Sequence, residues 1–163
     1  MKEKVYIETT IPSYLAARPS RDLLVAAHQQ TTWDWWELRR HLFELHISQA
    51  VLEEARQGDP VLSANRLSLL EGISVLPYTE ITRHLTACFM RDGSFPAKAL
   101  TDATHIAMTA VYECEYLLTW NCTHIANAQI QRRLRAVMRD NGFEPPVICT
   151  PDELMGDEYA VPR

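Results

Sequence analysis

Residues 5–15 have the sequence VYIETTIPSYL, an apolar run that ends in a carboxylate and continues into a segment marked by proline. Its first three residues are β-branched or aromatic, as in a buried strand, and Pro12 fits a helix only near its start. Glu8 therefore lies where a strand ends and a helix begins. Because open parallel sheets bind ligands beyond the carboxyl ends of their strands, Glu8 is a candidate functional residue.

Three more segments place a carboxylate or an amide at a similar junction. They are ISQAVLEEARQG (47–58) with Glu54, LTDATHIAMTA (100–110) with Asp102, and YLLTWNCTHIAN (116–127) with Asn121. A ring of hard oxygen donors above a parallel sheet suits Mg²⁺ or Mn²⁺ and the hydrolysis of phosphodiesters. Glu8, Glu54, Asp102 and Asn121 are therefore predicted metal ligands, and the first three are also predicted catalytic residues.

Strand-like and helix-like segments alternate along the rest of the chain. The predicted strands are 4–8, 45–48, 73–76, 116–119 and 147–149, and the predicted helices are 9–17, 21–44 capped by Ser20, 49–57, 60–71, 80–91, 97–113 and 124–141. Strands separated by helices imply right-handed crossovers and a mostly parallel sheet covered on both faces. No GxGxxG or GxxxxGK[ST] loop is present, which argues against dinucleotide and ATP chemistry.

Length and composition indicate one ordinary globular domain. The chain has 163 residues, of which 47% are hydrophobic and 23% charged. We expect a single domain over residues 1–155 and a tail at 156–163. No apolar run approaches the ~20 residues that span a bilayer, and the N-terminus lacks a secretory signal, so we expect no membrane association and a cytoplasmic location. The four cysteines form no CxxC pair and are expected to be reduced.

The net charge of −5 argues against a broad electrostatic surface for nucleic acid. Acidic metal ligands themselves lower the net charge, however, and Arg132, Arg133, Arg135 and Arg139 cluster within two turns of one predicted helix. Two interpretations of these arginines stay open. They form either a local basic stripe or a solvated helix face.

The four quoted segments together resemble the successive motifs of the PIN domain, as found in VapC-like toxins. The resemblance extends from Val5 to about Leu154 and implies a three-layer α/β/α sandwich with a mostly parallel, roughly five-stranded sheet. It also implies a ribonuclease that depends on Mg²⁺ or Mn²⁺, and a possible cognate antitoxin. By position, Glu8 replaces the usual strand-one aspartate, Glu54 and Asp102 match family acids, and Asn121 replaces a fourth acidic residue.

The two departures from the family pattern bear on the metal. Glu8 is one methylene longer than aspartate, which Mn²⁺ tolerates better than Mg²⁺ with its strict octahedral geometry. Asn121 leaves a formal site charge of −3, which suits one tightly bound ion. In the proposed mechanism a metal-activated water attacks phosphorus. Thr9, Thr10 and His124 are predicted to contact substrate phosphate.

Each predicted ligand also has a structural interpretation. Glu8 would cap the following helix or pair with an arginine, Asp102 would complement a helix dipole, and Asn121 would end a turn. Glu54 shares the helix face of Val51, whereas the neighbouring Glu53 is expected in solvent. A rival hypothesis for the whole chain is a catalytically impaired PIN-like module that binds protein or RNA without cleaving it.

Histidine and tryptophan residues raise two further questions. His105 and His124 follow Asp102 and Asn121 by three residues, so each is either a hydrogen-bonded histidine or a ligand for manganese or zinc. Trp33, Trp35 and Trp36 cannot share one helix face, because adjacent helical positions point about 100° apart. At least one of them is therefore expected to lie outside the core, and the sequence favours a homodimer or antitoxin contact there.

Overall fold

The computed structural model describes residues 1–156 and contains one five-stranded, fully parallel sheet. Its strands are β1 Lys4–Ile7, β2 Glu44–Ser48, β3 Ser74–Leu76, β4 Tyr116–Leu118 and β5 Val147–Cys149. The strand order is β3-β2-β1-β4-β5, so the apolar strand identified first in the sequence lies at the centre of the sheet. There Tyr6 has His46 and Leu117 as its neighbours in register.

Helices cover both faces of the sheet. They are α1 Thr10–Ala16, α2 Leu23–Leu38, α3 Gln49–Ala55, α4 Pro60–Leu70, α5 Glu80–Asp92, α6 Leu100–Val111 and α7 Ala128–Asp140. Right-handed crossovers with this strand order place α1 to α4 on one face and α5 to α7 on the other. In agreement, α1 packs against α2 and α4, while α5 packs against α6 and α7. The predicted three-layer α/β/α architecture is confirmed.

The core lies between the sheet and both helix layers. The apolar stripe of α6, formed by Ala103, Ile106, Ala107 and Ala110, is buried. Burying a side chain such as Ile106 contributes on the order of 1.5–3 kcal/mol. The small alanines let α6 approach the sheet closely, which brings the polar residues of the same helix near the ends of the strands.

The prediction of one long helix over 21–44 is wrong at both ends. Asp22, not Ser20, caps α2, because its carboxylate accepts a hydrogen bond from Val25 N at 3.0 Å. The helix ends at Leu38, and a 3-10 turn follows. The reason for the early end is tertiary, since Glu44 pairs with Lys4 in the sheet and must be extended.

The helix predicted from His124 begins four residues later, at Ala128. The Asn127 side chain accepts hydrogen bonds from Gln129 N and Ile130 N and so caps α7. Residues 119–127 therefore form a turn-rich loop after β4. The segment predicted as one helix at 97–113 consists of a short 3-10 turn followed by α6.

None of the helices in residues 1–156 is both long and apolar enough to cross a membrane. The predicted C-terminal tail, apart from Gly156, falls beyond the described residues.

Candidate metal centre at the carboxyl edge of the sheet

The carboxyl ends of β1 and β4 form a topological switch point. The connection after β1 leads to one face of the sheet and the connection after β4 leads to the other, which opens a crevice between them. Glu8 directly follows β1 and extends its ladder, since Glu8 N donates to Leu118 O at 3.1 Å. Thr119 directly follows β4. The fold therefore positions two polar residues from distant parts of the chain side by side.

The Glu8 carboxylate is buried and held through one of its two oxygens. Oε2 accepts hydrogen bonds from Thr10 Oγ1 at 2.5 Å, Thr10 N at 3.1 Å and Thr119 Oγ1 at 2.7 Å. Burial raises the pKa of Glu8 above its usual range, and the charge of His105 and these hydrogen bonds only partly offset the rise. A nearby cation would therefore stabilise the ionised form of this side chain.

Glu54 and His105 form an ion pair beside Glu8. Glu54 Oε1 lies 2.6 Å from His105 Nε2 and accepts a hydrogen bond from Thr9 Oγ1 at 2.7 Å. Burial acts to raise the pKa of Glu54, but the hydrogen bond and charge of His105, together with the Thr9 hydroxyl, lower it below its usual range. Burial acts to lower the pKa of His105, but Glu54, Glu8 and Asp102 raise it. Both shifts favour the charged pair.

A buried hydrogen-bonded chain supports the His105 ring from behind. Nδ1 of His105 lies 2.7 Å from Tyr6 OH, which lies 2.7 Å from Ser48 Oγ. Burial raises the pKa of the Tyr6 phenol far above its usual range, so its hydroxyl stays protonated. Because Tyr6 is in β1, Ser48 in β2, Glu54 in α3 and His105 in α6, the chain connects the sheet to both helix layers.

Glu8, Glu54 and His105 form a group that could hold a metal ion, with one ligand atom from each within 4.8 Å of the others. Within residues 1–156, no hydrogen bond reaches Glu8 Oε1 or Glu54 Oε2, so each carboxylate keeps a free oxygen. Bonds of about 2.1 Å in an octahedron separate adjacent ligand atoms by about 3 Å and opposite ones by about 4.2 Å. The spacing of the group is thus close to that of one coordination sphere.

The donor set bears on which ion would fit. Two carboxylates suit Mg²⁺ or Mn²⁺, whereas the imidazole nitrogen is a donor that Mg²⁺ rarely uses and that first-row transition metals accept. The two carboxylates therefore fit a divalent cation. Once the His105 ring has released a proton, its Nε2 is a third donor, and Mn²⁺ accepts this donor set better than Mg²⁺ does.

Asp102, Asn121 and His124 form a second cluster. Asp102 Oδ1 accepts a hydrogen bond from Asn121 Nδ2 at 3.2 Å, and Asp102 Oδ2 lies 2.8 Å from His124 Nδ1. His124 N donates to Asn121 Oδ1 at 3.1 Å, which ties the loop after β4 together. Asp102 precedes His105 by about one helical turn on α6, so the two clusters are neighbours.

The structure thus divides the predicted ligands into two pairs. It brings Glu8 and Glu54 together and places Asp102 with Asn121, while Asp102 is not part of the 4.8 Å group. Glu53 is exposed and Glu54 is not, as the pattern of the α3 face predicted. The hydroxyls of Thr9 and Thr10 already donate to carboxylates, so their predicted contact with phosphate stays a prediction.

His105 is the member of the group that the predicted ligand set did not include. The sequence contained one signal for it, which is the i, i+3 spacing from Asp102 on a helix that also carries the apolar residues Ile106 and Ala107. The two hydrogen bonds of its ring agree with the first interpretation, a hydrogen-bonded histidine. Because His105 also lies beside two carboxylates, the second interpretation, a ligand for manganese or zinc, stays a prediction.

The arginines of α7 are exposed, and Arg132, Arg135 and Arg139 line one surface groove. Positions i, i+3 and i+7 share a helix face, so their charges lie in a row. The row begins one turn after the N-terminus of α7, and this terminus follows the loop that carries Asn121 and His124.

Comparison with known proteins gives evidence for the fold alone. No family model matches the chain, and no curated protein matches it in sequence. The chain is similar to one chain of the crystal structure of VapBC2 from Rickettsia felis bound to a DNA fragment from their promoter. The identity is 12% and the TM-score 0.58, over 90% of this chain and 98% of that chain. The similarity confirms the predicted PIN-like α/β fold.

Proposed function

We propose that this protein is a divalent-metal-dependent endoribonuclease that resembles the toxin of a type II toxin-antitoxin pair. The observation that supports this function best is the convergence of Glu8, Glu54 and His105 at the switch point of a PIN-like sheet. These three residues are separated by about 50 positions from one to the next, yet their ligand atoms share one small volume.

The residues of the two clusters have distinct proposed roles. A divalent ion bound there supplies Lewis-acid stabilisation of a phosphoryl group and promotes the ionisation of water. Glu8 and Glu54 would hold such an ion, while the hydroxyls of Thr10, Thr119 and Thr9 keep the carboxylates in place. These threonine hydroxyls reduce the rotational freedom of the carboxylates, which favours one coordination geometry.

Asp102 and Asn121 complete the proposed ligand set beside His105. Asp102 also orients His124, whose ring is partly exposed and has Nε2 available for a substrate phosphate. The arginine row of α7 is proposed to bind the RNA backbone, since phosphates relieve the repulsion among like charges in one groove.

The proposed partners are RNA, an antitoxin and a second copy of the chain. The similar solved structure is a VapBC2 assembly, which supports an antitoxin. Trp35 and Trp36 are buried, whereas Trp33 is 39% exposed. Trp33 is thus the tryptophan of α2 that is left for a contact with a partner.

The function can be tested by Mn²⁺ titration and RNA cleavage with purified protein. We expect saturable Mn²⁺ binding and cleavage that EDTA abolishes. Glu54→Gln is expected to weaken both Mn²⁺ binding and cleavage, whereas Glu53→Gln changes the adjacent exposed carboxylate and serves as the matched control for Mn²⁺ binding. Asp102→Asn tests the second cluster, and undiminished turnover would exclude Asp102 from the chemistry.

The second candidate function is a PIN-like module that binds protein or RNA without cleaving it. It is favoured by the internal hydrogen bonding of the site, because Glu54 pairs with His105 and Glu8 accepts three hydrogen bonds from its neighbours. Retained RNA binding without Mn²⁺ binding or cleavage would select this alternative.

A further inference from the structure

A cavity of about 430 Å³ lies between α3 and the beginning of α6, directly beside Glu54. This volume is within the range of small-ligand sites. Its wall combines apolar side chains with side chains that donate and accept hydrogen bonds. Beyond the two glutamates of α3, the principal side chains are Tyr78, Leu100, Gln49, Gln57, Thr101 and Thr104.

Two large apolar side chains of the wall are open to solvent. Tyr78 is 52% exposed and Leu100 is 54% exposed. Apolar side chains gathered in a concave site favour a ligand with an apolar face. The chain just before Tyr78 is anchored, since Tyr112 OH donates to Pro77 O at 2.6 Å. The backbone that carries Tyr78 is therefore held beside the cavity.

The charge of the cavity argues against a phosphate as its occupant. No arginine or lysine is among its lining residues within the described chain, whereas Glu53 and Glu54 both are. The carboxylate of Glu53 is exposed and, within residues 1–156, accepts one long hydrogen bond, from Gln49 Nε2 at 3.4 Å. A neutral ligand that offers N–H donors complements this wall.

A flat ligand that carries both hydrogen-bond donors and acceptors complements the other polar side chains of the cavity wall. The amides of Gln49 and Gln57 and the threonine hydroxyls present donors as well as acceptors. The edge of a nucleobase also presents both, while a guanidinium presents donors only. A base can stack on Tyr78 as well, because every base has a π-face.

We propose that this cavity binds one base of the RNA substrate, with Tyr78 stacking on the base and Glu53 accepting a hydrogen bond from its exocyclic amino group. The inference rests on the proposed ribonuclease function, because Glu54 belongs to both the cavity and the metal centre. Adenine, cytosine and guanine carry such an amino group and uracil does not. The cavity therefore selects against uracil at this position of the substrate.

Base binding is measurable apart from catalysis. Isotope-labelled, EDTA-treated protein is titrated with adenosine, cytidine, guanosine and uridine, and the amide resonances of Tyr78, Leu100 and Thr101 are followed by NMR. We expect saturable shifts with the three amino-bearing nucleosides and weaker binding of uridine. No saturable shift with any nucleoside, or shifts with arginine amide alone, overturns the proposal.

Variants separate stacking from hydrogen bonding. Tyr78→Ala is expected to weaken nucleoside binding about five- to a hundredfold, while Tyr78→Phe keeps the ring and the binding. Ile81→Ala removes another exposed apolar side chain, outside the cavity, and is expected to change nothing. Glu53→Gln is expected to reduce the difference in affinity between cytidine and uridine. Equal binding by Tyr78→Ala and wild type contradicts the stacking role.

Cleavage distinguishes failure of this inference from failure of the proposed function. If wild-type protein binds Mn²⁺ and cleaves RNA, Tyr78→Ala should raise KM and relax base preference with Mn²⁺ affinity unchanged. Cleavage with no base preference in wild type overturns the base site and leaves the nuclease standing. Nucleoside binding without any cleavage overturns the nuclease and retains the base site.

Discussion

Replacing Tyr6 by phenylalanine removes one buried hydroxyl from the centre of the molecule and tests the support of the metal centre. The change leaves His105 Nδ1 and Ser48 Oγ without the partner that each has at 2.7 Å. A buried polar group left unsatisfied costs about 1–3 kcal/mol. With two such groups, we expect the free energy of unfolding to fall by about 2–6 kcal/mol.

The matched control is Tyr112→Phe, which also removes one tyrosine hydroxyl. That hydroxyl donates to Pro77 O at an exposed position, where water replaces the lost partner. We therefore expect a loss of less than about 1 kcal/mol. Urea unfolding measures both variants, and an unchanged slope with denaturant shows that the compactness of the two states is preserved.

Mn²⁺ binding gives the second measurement on the same variants. Because Tyr6 holds the His105 ring that contacts Glu54, Tyr6→Phe is expected to weaken Mn²⁺ affinity about 10- to 100-fold, while Tyr112→Phe leaves it unchanged. Equal stability losses in the two variants, together with equal Mn²⁺ affinities, would show that the buried chain does not position the site.

Three further predictions concern pH, metal and thiols. In metal-free protein, the raised pKa of His105 means that the folded state binds more protons than the unfolded state. The stability that protonated His105 contributes is therefore complete below about pH 6.5 and is lost as pH rises through its folded-state pKa. Burial also raises the pKa of Glu8, so this residue too makes the folded state less stable as pH rises. If urea unfolding showed a free energy of unfolding that rises between pH 6.5 and 9, the expected effects of His105 and Glu8 would both be contradicted. Mn²⁺ at about 100 times its Kd should raise the free energy of unfolding by about 2.7 kcal/mol in wild type and in Glu53→Gln but not in Glu8→Gln, as read by thermal unfolding. Cys122 is exposed, whereas burial raises the pKa of Cys114 to about 12, so Ellman's reagent should label the first in native protein and the second only after denaturation.

The periodicity of the chain predicts much of the fold because strand and helix patterns are local. The five strands and the α/β/α layers follow from alternating apolar segments, and α4 begins at Pro60 as predicted. Errors occur where a distant partner decides the local structure. Residue Glu44 belongs to β2 and not to α2, because its backbone pairs with Lys4, forty residues earlier.

In the candidate site, too, local sequence patterns predict one part and distant partners decide the rest. Strand ends and helix faces identify Glu8, Glu54 and Asp102 as polar residues near one edge of the sheet. Which of them meet depends on the angle and depth at which α3 and α6 pack. These are set by side-chain volumes in the core, so the contact of Glu54 with His105 and of Asp102 with His124 emerges only in three dimensions.

By itself, the sequence determined that acidic and amide side chains lie at the carboxyl ends of parallel strands, because this placement depends on short-range patterns alone. The tertiary structure alone decided that His105 joins two glutamates and rests on Tyr6, since a buried histidine takes the partners that packing brings within hydrogen-bonding distance. Glu54 and Tyr6 lie 51 and 99 positions from His105 along the chain, so no local sequence pattern connects them to it.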